Sequence, residues 1–184
     1  MNTADGRAFE SAEFDAAANE NEQTDQYLTF IMADEEYGVD ILRVQEIRGW
    51  ESVTPIPNSP SHIKGVINLR GTIVPIVDLR KRFGLAEVNY GPLTVVIVLK
   101  VDTNKGDRIM GIVVDAVSDV YSLSHEDMKS APDLGDQINT SYIKGLVNVN
   151  SKMVILLDIK ELLGSDSIPE VSLSALKEMK EAGN

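Results

Sequence analysis

A chain of 184 residues with 17 Lys+Arg against 29 Asp+Glu, no cysteine and a formal net charge of −12 has the size of one ordinary domain or two very small ones, enough to bury a sizeable core without staples. The missing cysteines exclude thiol nucleophiles, thiolate metal sites and disulfides together, and suit a reducing compartment. The acidic balance has the wrong sign for neutralising the phosphates of DNA or RNA.

Residues 1–25 hold seven carboxylates (Asp5, Glu10, Glu13, Asp15, Glu20, Glu22, Asp25) against Arg7 alone, half of the chain's net charge. This leader lacks the basic start and apolar run of a secretory signal, and no later segment approaches the roughly 20 apolar residues that span a bilayer, so a cytoplasmic protein is expected. With Phe9 and Phe14 isolated and no sustained period, residues 1–25 read as a disordered acidic arm, the alternative being a helix that folds on binding.

From Tyr27 the texture changes to short runs rich in Val and Ile, broken by Gly, Pro, Asn or Asp, an all-β signature. Strands are predicted over 27–33, 37–41, 44–48, 65–69, 72–77, 93–101, 108–114, 117–123, 145–149 and 152–157. Ten strands of this length suit two small barrels. Between the third and fourth, PIPNSP (55–60) reads as a rigid turn into a brief helix, capped by Ser59 with Pro60 at its first position. Asp78 and Asp158 read as caps of two short helices ending at Gly84 and Gly164, the second with a capping-box Glu161 and a left-handed Gly164. Beyond, Ser167, Pro169 and Glu170 open an amphipathic helix with Ile168, Val171, Ala175 and Met179 on one face, so 165–184 is expected to be a C-terminal helix or tail.

The decisive feature is an internal repeat. HIKGVINLRGTIVPIVDLRKRFG (62–84) aligns without gaps on YIKGLVNVNSKMVILLDIKELLG (142–164) at a shift of 80, with seven identities in 23 positions. A weaker echo at a shift of 73 lays YGVDILRVQEI (37–47) over MGIVVDAVSDV (110–120), keeping Gly38/Gly111 and Val44/Val117. The chain is a structural duplicate, divided near residues 90/91 into intertwined halves of roughly 26–90 and 91–164. Each half alone would have a marginal core, so the two are expected to share an apolar interface.

Chemistry-bearing patterns are missing. His62 and His125 stand outside any zinc spacing, and no G-x-S-x-G, Walker loop or G-x-G-x-x-G follows a predicted strand. A duplicated cap explains Asp78 and Asp158 without pairing them as acid and base, and Asp115 at a strand end reads as a turn former. No catalytic residue, metal site or cofactor is assigned, and a binding protein is expected.

Among candidate binding residues, Glu46 and Arg70 are opposite charges flanked by apolar neighbours and suited to pair across a strand ladder. Gly65 and Gly145 read as positions of positive φ or close backbone approach. Trp50 sits beside turn signals, where an indole is either a binding anchor or half buried. Val44, Val95 and Val117 read as core valines on their residue type alone.

The phrases EYGVDILRVQEIRG (36–49), HIKGVINLRGTIVPIVDLRKRF (62–83), TVVIVL (94–99) and GIVVDAVSDV (111–120) resemble the CheW family of bacterial chemotaxis coupling proteins, over about 26–164. The resemblance implies two five-stranded SH3-like β-barrels sharing a hydrophobic core, with short capping helices. It implies a non-catalytic adaptor that binds the regulatory domain of the histidine kinase CheA and the cytoplasmic tips of methyl-accepting receptors, recruited from the cytoplasm to membrane-associated clusters. By position it implies a receptor-facing groove with Val44, Glu46, Arg70, Val95 and Val117, and a kinase-facing end with Lys64, Gly65 and Ile73. A CheV-like coupling protein would add a receiver domain, for which the residues after the second repeat leave no room; an unrelated small-barrel protein would show a cofactor pocket or a basic aromatic face.

Overall fold

A computed structural model describes residues 23–132 and 140–164. The expected arm lies outside the described residues up to 22, while its last two residues, Thr24 and Asp25, belong to the first strand instead; the expected tail from 165 also lies outside them. All ten predicted strands form: β1 (Thr24–Met32), β2 (Glu35–Asp40), β3 (Val44–Gly49), β4 (Ile63–Leu69), β5 (Thr72–Asp78), β6 (Val95–Thr103), β7 (Gly106–Val114), β8 (Ala116–Ser124), β9 (Ile143–Val149) and β10 (Lys152–Leu157). Two short helices, α1 (Leu79–Arg82) and α2 (Ile159–Leu163), and two 3-10 turns, Ile41–Arg43 and His125–Asp127, complete the described elements. The segment after Pro60 is a turn rather than the expected helix: the Ile63 amide donates straight back to the Pro60 carbonyl and the chain enters β4.

The strands assemble into two five-stranded sheets, in the orders β8-β1-β2-β10-β9 and β3-β6-β7-β5-β4. The second sheet is therefore one unbroken stretch, 44–114, and we call it barrel B. Barrel A takes β1 and β2 from before this stretch and β8 to β10 from after it. The division expected near residues 90/91 is thus corrected: β6 and β7 stay with β3 to β5, and among the described residues the chain passes between barrels at Ile41–Arg43 and at Asp115.

The duplication is borne out strand by strand. In barrel B, β5 pairs parallel to β7 with Ile76 opposite Gly111; in barrel A, β10 pairs parallel to β2 with Leu156 opposite Gly38. The Asp78 amide donates to the His62 carbonyl, and the Asp158 amide to the Tyr142 carbonyl, so each cap is held by the residue one repeat away from the other's. Both aspartates cap as expected, Asp78 accepting from the Lys81 amide and Asp158 from the Glu161 amide, each at 3.2 Å. Gly84 is left-handed at φ 70°, whereas Gly164 is not, at φ −80°. Three two-residue hairpin turns, Ala33-Asp34, Arg70-Gly71 and Asn150-Ser151, have positive φ at both positions, the mirror-image turns whose twist suits antiparallel strands.

Period-2 alternation explains how so small a chain builds its core. Along β6, Val96 and Val98 point into barrel B, while Ile97, Leu99 and Val101 point the other way into a cluster shared by both barrels. Along β1, Tyr27 points into barrel A, while Leu28, Phe30 and Met32 join the same shared cluster. The shared cluster also takes Val77, Ile112 and Leu79 from barrel B, and Val39, Leu157, Leu162 and Leu163 from barrel A. Each barrel's own interior is the smaller part, as the size argument requires. No helix among the described residues is long and apolar enough to cross a membrane.

Candidate docking surfaces

Barrel B carries the Glu46–Arg70 pair. The Arg70 guanidinium donates to Glu46 Oε2 at 3.0 Å, and Arg48 stands 3.6 Å from the other carboxylate oxygen while also reaching Glu51 at 3.4 Å. The pair does form, but not across a ladder: β3 and β4 are opposite edges of the sheet, and the contact bridges them where the barrel curls round. Arg70 is the first residue of the β4–β5 turn, left-handed at φ 50°, with its side chain 78% exposed. With Gln45, Leu69, Thr72 and Ile109 the pair lines an open hollow.

Val44, Val95 and Val117 are each half buried and each packs on the shared cluster. Their residue type alone suggested core; the structure places them at its margin, where apolar surface of both barrels meets solvent. Val44 begins β3 and lies opposite Leu99, Val95 lies opposite Gly49 and Val114, and Val117 lies opposite Phe30. Beside Val44, Leu42 on the crossing turn is 81% exposed.

The residues assigned to the second surface sit on β4 and β5. The Lys64 ammonium lies over the Tyr90 ring, 4.9 Å from its centroid, and Tyr90 meets Trp50 edge to face at 4.4 Å. The Tyr90 hydroxyl donates to Asp78 at 2.5 Å, and burial first, then this bond, pushes its pKa up. Trp50 is half buried against the interior of barrel B. Gly65 has φ 149°, and a Cβ there would collide with the Thr54 carbonyl. At Gly145 only the close approach holds, since φ is not positive and a Cβ would meet the Met128 side chain. Ile73, half buried, lies opposite Asn68.

One arrangement escaped the sequence reading. Asp115, taken as a turn former, receives two hydrogen bonds from Arg80 at 2.8 and 2.6 Å and one from the Ala33 amide at 2.9 Å. It thereby ties α1 of barrel B, the β1–β2 turn of barrel A and the second crossing into one knot. The bonds from Arg80 hold its carboxyl below the ordinary aspartate value. Burial, and then the Arg82 charge, lower the pKa of His62. His125 instead contacts Asp25 at 2.7 Å, closing β1 onto the end of β8.

Comparison with known proteins agrees with this architecture. A sequence model of the CheW-like domain matches residues 26–167. The chemotaxis protein CheW of Klebsiella aerogenes is 51% identical over 143 residues, covering 78% of this chain and 84% of its own. That of Rhizobium meliloti is 35% identical over 141 residues, covering 77% of this chain and 88% of its own. In crystal form, the scaffolding protein TtCheW from Thermoanaerobacter tengcongensis superposes with a TM-score of 0.69 at 30% identity, covering 79% of this chain and 91% of that one. Two nested SH3-like barrels, the motifs on them and this similarity along nearly the whole described chain place the protein in the CheW family of chemotaxis proteins.

Proposed function

We propose that the chain is a non-catalytic adaptor that couples methyl-accepting chemoreceptors to the histidine kinase CheA at membrane-associated receptor clusters. The receptor tip, a helical hairpin, would lie along the margin formed by Val44, Val95 and Val117, with Glu46 and Arg70 setting its register. This is helix-in-groove recognition, in which apolar contact supplies affinity and charges at the rim select the partner. The regulatory domain of CheA would meet the β4–β5 end of barrel B at Lys64, Gly65 and Ile73.

The observation that carries the reading is the Glu46–Arg70 pair. An exposed ion pair contributes only about 0–1 kcal/mol to stability, yet here its arginine occupies a left-handed backbone position that glycine fills more cheaply. Ala33 and Asn150 take the same turn position with short side chains, so a long, exposed charge at this one supports a role in contacting a partner. Micromolar affinity, about −8 kcal/mol, is sufficient where contacts are multivalent. The deciding experiment is reconstitution of CheA and receptor with and without this protein, scoring ATP-dependent kinase output. Receptor-controlled output only in its presence is expected; output indifferent to it overturns the reading.

A further inference from the structure

The duplication allows each position of one barrel mouth to be compared with its counterpart in the other. In barrel B the hollow holds Glu46, satisfied by Arg70 and Arg48, over an apolar floor at Ile109. The shifts of 73 and 80 carry Glu46 to Asp119, Arg48 to Tyr121, Ile109 to Glu36 and Arg70 to Asn150. Barrel A therefore keeps the acid and gains a second one, while both arginines are gone.

The second acid is buried. Glu36 is only 9% exposed and its Oε1 has no hydrogen-bond partner. Alternation along β2 points Tyr37 and Val39 into the shared cluster and leaves Glu36 on the inner face with Gly38, which abuts Leu156, Val154 and Tyr27. Asp119 anchors the rim, its backbone N–H and C=O both bonded to the Thr29 hydroxyl at 3.1 Å. The register sets Glu36 opposite Ile31 on one side of β1 and Tyr121 opposite Tyr27 on the other, and both carboxylates contribute to raising the Tyr121 pKa, after burial. Lys152, which takes the place of Thr72 on this rim, makes no ion pair among the described residues and leaves Glu36 Oε1 unmatched.

We propose that the mouth of barrel A is a docking site for an arginine side chain of a partner protein, taken up between Glu36, Asp119 and Tyr121. A buried carboxylate oxygen without a donor is costly to the free protein and is matched by an incoming cation. A guanidinium fits better than an ammonium because its planar fork can bond a carboxylate while its face stacks on the Tyr121 ring. In effect the partner returns the arginine that barrel B keeps within its own chain. This site is separate from the residues assigned to receptor and kinase, so it stands or falls independently of that reading.

The test is a titration of the 15N-labelled full chain with N-acetyl-arginine methylamide, followed by amide shifts, beside the isosteric uncharged citrulline compound and magnesium chloride. Shifts at Gly38, Asp119 and Asn150 are expected with the arginine compound alone, saturating in about the millimolar range. Glu36→Ile, which installs the residue that barrel B already carries, should abolish them and raise Tm by about 2–4 °C, because the unpaired carboxylate is removed. Glu36→Gln, nearest in shape, should abolish them with the fold unchanged, and serves alone if the isoleucine variant does not fold. Wild-type protein blind to the arginine compound, equal response to citrulline or magnesium, or shifts that survive in Glu36→Gln would overturn the proposal.

Discussion

Arg70 combines a left-handed backbone, φ 50°, with an exposed charge paired to Glu46, and the proposed receptor contact makes separate demands on the two. Replacing it by glycine relieves the left-handed strain, so Arg70→Gly should keep or slightly raise the unfolding free energy measured by urea, by up to about 1 kcal/mol. Receptor-dependent kinase activation should nevertheless fall, and fall further in Arg70→Glu, where Glu46 meets a like charge; circular dichroism and kinase binding should be unaffected. Activation intact in both variants would remove Arg70 from the surface. Gly65 makes the opposite case, since alanine there meets both a positive φ and the fixed Thr54 carbonyl. Gly65→Ala should cost about 3 kcal/mol by urea unfolding, whereas Gly145→Ala, which pushes mainly on the flexible Met128 side chain and only lightly on the Lys129 carbonyl, should cost about 1 kcal/mol. The Glu46–Arg70 pair was legible from the chain because opposite charges stood out among apolar neighbours. Glu36 was not, because nothing in a run of three acidic residues, Asp34 to Glu36, marks which one folds inward.

Among the elements, the two helix caps look alike in sequence and differ in what depends on them. Asp158 bonds the Glu161 amide, so Asp158→Ala should cost about 1 kcal/mol. Asp78 caps α1 and also accepts from the half-buried Tyr90 hydroxyl, so Asp78→Ala, which removes both acceptors, should cost about 2 kcal/mol; chemical denaturation of the two variants side by side measures the difference. The Arg80–Asp115 knot predicts a pH dependence. Because Asp115 has a folded pKa below its unfolded value near 3.9, its contribution is complete above about pH 4 and disappears as pH falls through the lower folded value. Urea midpoints should thus be flat from neutrality to about pH 5 and fall below about pH 4. Asp115→Asn should lower the plateau, by about 2 kcal/mol, and flatten the fall. Strand positions were readable throughout because period-2 apolar runs and turn residues are local signals. The knot was not, since it joins residues 35 and 82 positions apart along the chain.

At the scale of the whole molecule, the repeat revealed two equivalent barrels but not which strands belong to which. Self-alignment pairs β2 with β7 and β5 with β10 as counterparts, and is satisfied equally whether a counterpart stays with its sequence neighbours or changes partners. The answer lies in packing: β1, β2, α2, β6 and β7 all contribute to one apolar cluster, so neither barrel has a complete core alone. Two consequences are measurable. Calorimetry should give one transition with equal van't Hoff and calorimetric enthalpies. The 44–114 fragment, although it contains every strand of barrel B, should show poor amide dispersion and bind hydrophobic dye; a well-dispersed, cooperatively melting fragment would show that the shared cluster is dispensable.

That nesting also sets an order of events at the ribosome. As the polypeptide emerges, β1 and β2 must wait for more than seventy residues, the whole of 44–114, before β8 arrives to flank them. The strands of barrel B can collapse first, but only loosely, with their half of the common apolar face turned to solvent until barrel A arrives to cover it. Synthesis halted before β8 would thus release a chain whose first two strands have neither outer neighbour, a natural target for chaperones and proteases and an aggregation hazard at its unpaired edges.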